Sequence, residues 1–186
     1  AVLTAQNRVF NLAASAIDTT TTGTTTLANT APTWLLDVPD GITCIPLLAS
    51  LQQAGTVAGG AITVIMEVDN ADRYTSGGTA LTVLNARTDG PALPSSGGVS
   101  PAMYSRIGTA IVATAAYGAQ IWSALVGQDG APAEGVTNEL VWTPPSGAPE
   151  LLVGPAAWLI YTNASPTTGP TWNFAFKIAA FLTTEL

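Results

Sequence analysis

Residues 171–182 read TWNFAFKIAAFL, and this run decides the fold class. Trp172, Phe174, Phe176, Ile178, Ala180 and Leu182 share one parity, while Thr171, Asn173, Ala175, Lys177 and Ala179 share the other. Alternation at a period of two, sustained this long, marks a β-strand with one face against a core. Each aromatic on the inner parity can bury roughly 150–250 Å². Such a strand can anchor a sheet and close the fold.

Working outward, Ala156–Thr162 (AAWLIYT) predicts a strand that pairs with the final run across residues 163–170. Further upstream, Trp34–Val38 is a short apolar run stopped by Pro39-Asp40-Gly41, a turn signal in which Pro presets φ and Gly permits positive φ. Ile42–Leu51 is apolar on both parities, and Pro46, which has no N–H to donate, places it at an edge or a bulge. Ala61–Val68 turns Ile62, Val64, Met66 and Val68 inward, with Thr63 and Glu67 outward. Thr79–Ala86 alternates as well. Residues 107–115 and 120–126 predict a hairpin across Tyr117-Gly118, and Leu140–Thr143 is stopped by Pro144-Pro145. The intervening loops are rich in Gly and Pro, the longest being Asp89–Pro101. There is no internal repeat and no amphipathic run of three helical turns.

Many short strands separated by turn signals predict an all-β protein, an antiparallel β-sandwich or barrel. Several strands are apolar on both parities, whereas the outer face of an antiparallel sandwich is normally wet. The expectation is therefore that an outer face is covered, most simply by a neighbouring subunit. Ahead of Trp34, residues 1–18 are weakly patterned and read as a short helix around Leu12–Ile17 or as extended chain. Thr19–Thr26 (TTTTGTTT) favours extended chain but has no large apolar side chain to nucleate a core. The predicted organisation is an extended, Thr-rich N-terminal arm over 1–33, ordering on assembly, followed by one β-sandwich domain over 34–186.

At 186 residues the chain can bury a sizeable core. Only 9% of it is charged, against about 25% in ordinary soluble domains, while 47% is hydrophobic. A surface that poor in charge exposes neutral and apolar area, the signature of partner contacts. The net charge of −7 and the scatter of Arg8, Arg73, Arg87, Arg106 and Lys177 argue against direct binding of nucleic acid through its phosphates. Cys44 is the single cysteine and sits in an apolar run, so it reads as a small buried hydrophobe with no disulfide framework around it. No run reaches the roughly 18 apolar residues of a membrane helix, and no charged-then-apolar leader opens the chain. An initial Ala is what remains when an initiator Met is removed, so the expectation is synthesis in the cytoplasm.

The absence of histidine excludes Ser-His and Cys-His nucleophile systems and the usual zinc site. Acid–base work would fall to carboxylates, Tyr or Lys177. The acidic cluster is Glu67, Asp69 and Asp72. Its oxygens make it a calcium candidate, although it lacks the regularly spaced ligand ladder of a dedicated calcium loop. The competing reading is a solvated loop in which Asp69 and Asp72 form turns and pair with Arg73. Asn163-Ala164-Ser165 matches a glycosylation acceptor, with Pro166 directly after it, and is read as chance. Trp158 and Trp172 lie on apolar parities and are predicted core. Trp34 and Trp142 sit beside Pro-containing loops and are the candidates to touch a partner or ligand. No catalytic residue and no cofactor are predicted.

The strand rhythm, the excursion EVDNADRYTSGGTALTV (67–83) and the ending AAWLIYTNAS (156–165) with TWNFAFKIAAFL resemble the small jelly-roll proteins that viruses, especially tailed phages, place on their capsids. The resemblance implies a jelly-roll sandwich and a capsid decoration or cementing protein without an active site. It further implies a homotrimer bound to the major capsid protein on the exterior of the virion, made in the host cytoplasm, with the N-terminal arm reaching onto the shell. Two other readings accompany it. One is a carbohydrate-binding sandwich, lectin-like or the head of a receptor-binding fibre, using Trp34, Trp142 and the acidic loops. The other is a jelly-roll shell subunit, which usually carries a basic arm, whereas residues 1–30 hold only Arg8.

Overall fold

A computed structural model describes residues 2–13, 20–24, 26–54, 60–94, 106–107, 111–116, 118–128, 139–164 and 171–186. The chain forms β1 (Val9–Ala13), β2 (Thr21–Thr22), β3 (Trp34–Val38), β4 (Ile42–Gln53) and β5 (Gly60–Asp69). Short strands follow: β6 (Tyr74–Ser76), β7 (Thr79–Ala80), β8 (Thr82–Asn85), β9 (Arg106–Ile107) and β10 (Val112–Ala113). The last group is β11 (Ala119–Gln128), β12 (Glu139–Trp142), β13 (Leu152–Val153), β14 (Ala156–Ala164) and β15 (Thr171–Leu182). A single helical turn, Val2–Ala5, precedes β1, and a 3₁₀ turn, Thr183–Glu185, follows β15.

Two antiparallel sheets carry the architecture. Sheet A runs β12-β4-β15-β1-β8, with β13 also on β4 and β2 also on β15; sheet B runs β11-β5-β14-β3-β9-β7. They enclose one core. Sheet A contributes Phe10, Leu12, Ile42, Leu51, Phe176 and Ile178, and sheet B contributes Trp34, Leu36, Val64, Met66, Trp158 and Ile160. The layers meet through aromatic rings. Trp34 stacks on Phe176 at 4.0 Å between centroids, Trp158 meets Trp34 edge-on at 4.7 Å, and Trp142 lies 5.8 Å from Trp158. Offset and edge-to-face pairs at these distances stabilise beyond the area they bury.

The final run is the strand its alternation predicts, and it is central. Trp172, Phe176, Ile178 and Ala180 are buried, and the strand pairs with β4 over eleven registered positions from Trp172↔Gln53 to Leu182↔Ile42. The register slips once between Lys177 and Ile178, opposite Leu48 and Pro46. The proline is thus housed at a bulge of an interior strand rather than at a sheet edge.

Two expected strand pairings are corrected. The expected pairing of Ala156–Thr162 with the final run does not form, because β14 lies between β3 and β5 in sheet B while β15 belongs to sheet A. The expected hairpin of 107–115 with 120–126 is replaced by pairing of β11 with β5 and of β10 with β6. The division of the chain at residue 33 meets a strand ahead of it. Residues 9–13 pair with β15 on one side and β8 on the other, and Phe10 and Leu12 are buried in the core. The helix expected around Leu12–Ile17 is absent from its described part, where residues 9–13 are strand. In the Thr-rich tract, Thr21 and Thr22 pair with the start of β15, and Thr24 bridges Asn163.

Strands apolar on both parities have a second covered face, and the cover is the chain itself. On the outer side of sheet B, Leu35, Ala157, Leu159 and Tyr161 pack with Ile111 and Ala113, and with Leu27 and Tyr74. No neighbouring subunit is needed there. Since Leu12 is core, Leu12→Ala should lower the unfolding free energy by about 2–5 kcal/mol in urea denaturation. A loosely attached arm would leave the midpoint unmoved.

Candidate functional site

The polar side chains converge where the loops covering sheet B meet its outer face. Arg73 is the hub and is fully buried. Its Nε donates to the Thr114 carbonyl at 3.1 Å, and Nη2 donates to the carbonyls of Asn29 and Ala116 at 3.0 and 2.9 Å. Nη1 pairs with Asp69 Oδ2 at 2.8 Å. The backbone on either side is held from below by Asp37, whose carboxylate accepts from the N–H groups of Arg73 and Tyr74. Burial pushes the Asp37 carboxyl up to about 6, although those two N–H groups pull it down. Nearby Asp72 raises it further and the Arg73 charge lowers it. A buried cation with each guanidinium nitrogen bonded is a structural staple.

The three carboxylates proposed for calcium are not brought together. Asp69 is committed to Arg73 and, through Oδ1, to the Asn70 N–H at 2.7 Å. Glu67 stands half-buried on β5 beside the Tyr161 hydroxyl and the Gly118 N–H, with its carboxyl raised chiefly by burial. A Cβ at 118 would stand 2.5 Å from the Val68 carbonyl oxygen, so only glycine brings this backbone close enough to serve Glu67. Asp72 is exposed. Among the described residues no group of three His, Cys, Asp or Glu is arranged to hold a metal ion. An open cleft of about 540 Å³ at this end of sheet B is lined by Asp69, Asn70, Gly118, Glu150 and Leu151, among others. One of its two carboxylates is the Asp69 already tied to Arg73.

The tryptophans expected at a ligand are core. Trp34 is fully buried between Phe176 and Trp158, and Trp142 is buried against Trp158. Their nearness to Pro39 and to Pro144-Pro145 marks strand ends rather than exposure. The stacking platform required by the carbohydrate reading is therefore removed. Cys44 is buried, and desolvation raises its thiol far above the range where a thiolate forms.

What remains accessible is the outer face of sheet A. Three cross-strand rows show its composition. Val141, Ser50 and Ala175 are aligned across β12, β4 and β15. Leu84, Asn11, Lys177 and Leu48 are aligned across β8, β1, β15 and β4. Val153, Thr43 and Phe181 are aligned across β13, β4 and β15. Leu84, Val141 and Val153 are 57%, 54% and 46% exposed. Lys177 is the only charge in these rows. Among the described residues, β3 and β14 in the middle of sheet B are covered by the chain's own loops, whereas sheet A keeps Leu84, Val141 and Val153 exposed beside buried Val9, Thr43 and Ala179.

Comparison of the chain with protein-family models, with curated proteins and with solved structures finds no match in any of the three.

The Asp37 shift fixes a pH dependence. A folded carboxyl that holds its proton up to about pH 6, against 3.8 when unfolded, contributes stability below pH 4 and loses it as pH rises to 6. Wild type should therefore gain on Asp37→Asn, in unfolding free energy, on going from pH 7 to pH 4. The gain is on the order of 3 kcal/mol at most, read by urea denaturation at both values.

Proposed function

We propose that this chain is a non-enzymatic structural protein of a virion, a jelly-roll capsid decoration or cementing protein that binds a repeating lattice through the outer face of sheet A. The fold part of this reading rests on strand order. With β6–β10 and the two-residue β2 and β13 set aside, eight strands remain, and they pair first with eighth, second with seventh, third with sixth and fourth with fifth. Further pairing of β15 with β4 and of β14 with β5 completes the two sheets. Such nested pairing is what an antiparallel ribbon gives when it is doubled over and rolled, which supports the jelly-roll reading.

The observation that carries the functional part is the contrast between the two outer faces. One is covered over β3 and β14 by loops stapled through Arg73; the other offers exposed Leu84, Val141 and Val153 with Lys177 among them, Glu139 on the same face of β12 as Val141, and the Arg8–Glu185 ion pair beside Phe181. A flat, weakly charged face of aliphatic side chains suits a permanent contact with another protein. Repeated over a lattice, modest single contacts sum to firm attachment. The chemistry agrees: the sequence holds no histidine, its thiol is buried, and Asp37 and Asp69 serve the fold.

The test is co-sedimentation of the purified chain with empty shells of the virus that encodes it. Wild type should pellet with shells at a fixed ratio and raise their melting temperature. Leu84→Glu combined with Val141→Glu alters two exposed positions, so folding should be unaffected, while shell affinity should fall at least about tenfold, or 1.4 kcal/mol. Wild type remaining in the supernatant would reject the reading.

A further inference from the structure

Every sheet edge is a row of unpaired backbone donors and acceptors, and proteins cover or interrupt such rows. On one side of this sandwich the chain does so itself. The excursion between β5 and β11 lays β8 along β1 and lays β9, then β7, along β3. On the other side, β12 is only four residues long, begins with Glu139, and is followed by Pro144 and Pro145. β11 is different. It has ten residues, AQIWSALVGQ, with no charge and no proline, and among the described residues β5 is its only strand neighbour.

The part of β11 beyond its bulge, Trp122 to Gln128, keeps an unbroken register with β5 from Trp122↔Met66 to Gln128↔Gly60. Its midpoint is Leu125, which is 72% exposed, more than any other large hydrophobic side chain among the described residues. Leu125 stands opposite Thr63, on the face away from the core. Among the described residues, no strand pairs with the other edge of β11 and Leu125 stays exposed.

We propose that β11 pairs antiparallel with β11 of a second copy, across a two-fold axis at Leu125, joining two six-stranded sheets into one continuous sheet. The occupant follows from self-complementarity. An antiparallel edge is completed by another antiparallel edge, and a two-fold axis at the centre of the run opposes Leu125 to its mate and Ser123 to Gly127, with no charge in the paired segment. Directly opposed Cβ atoms lie about 4.5–5.5 Å apart, so each leucine covers the other. The seven residues from Trp122 to Gln128 span about 23 Å, and two sheets about 10 Å apart with their side chains present an edge about 20 Å deep. This gives roughly 450–500 Å² per copy, the size of a weak, concentration-dependent contact. The contact makes pairs rather than the trimer expected from the resemblance, and it is independent of what sheet A binds.

The test uses the intact chain. Light scattering behind a sizing column should give twice the 18.9 kDa chain mass for wild type, and Leu125→Arg should dissociate at least tenfold more readily with an unchanged melting temperature. Leu125→Cys should cross-link between copies under mild oxidation, since Cys44 is buried, while Val141→Cys on sheet A should not. The cross-link decides the matter should Leu125→Arg fail to fold. A monomeric wild type, a dimer untouched by Leu125→Arg, or cross-linking through Val141→Cys alone would overturn the proposal. The last of these would move the self-contact to sheet A.

Discussion

The arrangement of this molecule depends on burying one guanidinium. Removing a cation from water costs several kcal/mol unless its donors are matched, and Arg73 finds a carboxylate and three carbonyls. Those partners come from the end of β5, the segment before β3 and the stretch before β11, the last two also joined by Asn29 Nδ2 donating to the Ala116 carbonyl at 3.1 Å. The planar fork of arginine reaches all of them at once, which a lysine ammonium does not do. Asp37 completes the arrangement from inside the sheet by fixing the backbone that carries the arginine. Where these loops are held, the apolar outer side of β3 and β14 is closed without help from another molecule.

That closure makes the two faces of the sandwich unequal. Aromatic rings from both sheets meet in the middle, so the core is shared, while the apolar cover of β3 and β14 comes from the loops. Sheet A keeps exposed aliphatic side chains in cross-strand rows, with Lys177, Glu139 and the Arg8–Glu185 pair as charges on that side. A protein with few charges has few ways to be specific, and shape across a flat sheet is one of them.

Strands were legible in the sequence where the physics is local. The alternation of 171–182, the run at 61–68 and the turn at Pro39-Asp40-Gly41 all specify their own conformation. Partnership was not. Ala156–Thr162 and the final run are neighbours in sequence and both strands, yet they lie in different sheets, because the chain crosses from one layer to the other between them. Phe10 and Leu12 looked too isolated to matter until β15 and β8 flanked them. Trp34 next to a proline turn suggested exposure, whereas five consecutive buried residues, WLLDV, meant a strand covered on both faces. The lone Asp37 in that apolar run was the available signal for the polar hub, and its partner lies thirty-six residues away.

The pairing of Val9 with Ala179 ties residues almost at opposite ends of the chain. Sheet A is organised around β15, which holds β4 on one side and β1 on the other. None of its central pairings can form until residues 171–182 have left the ribosome. Closing loops of that length before any contact rewards them is slow, as in other sandwiches dominated by distant pairings. During that delay β1 and β4 wait without β15 between them, and the exposure of the edges it will cover is set by the speed of translation rather than by the stability of the finished fold.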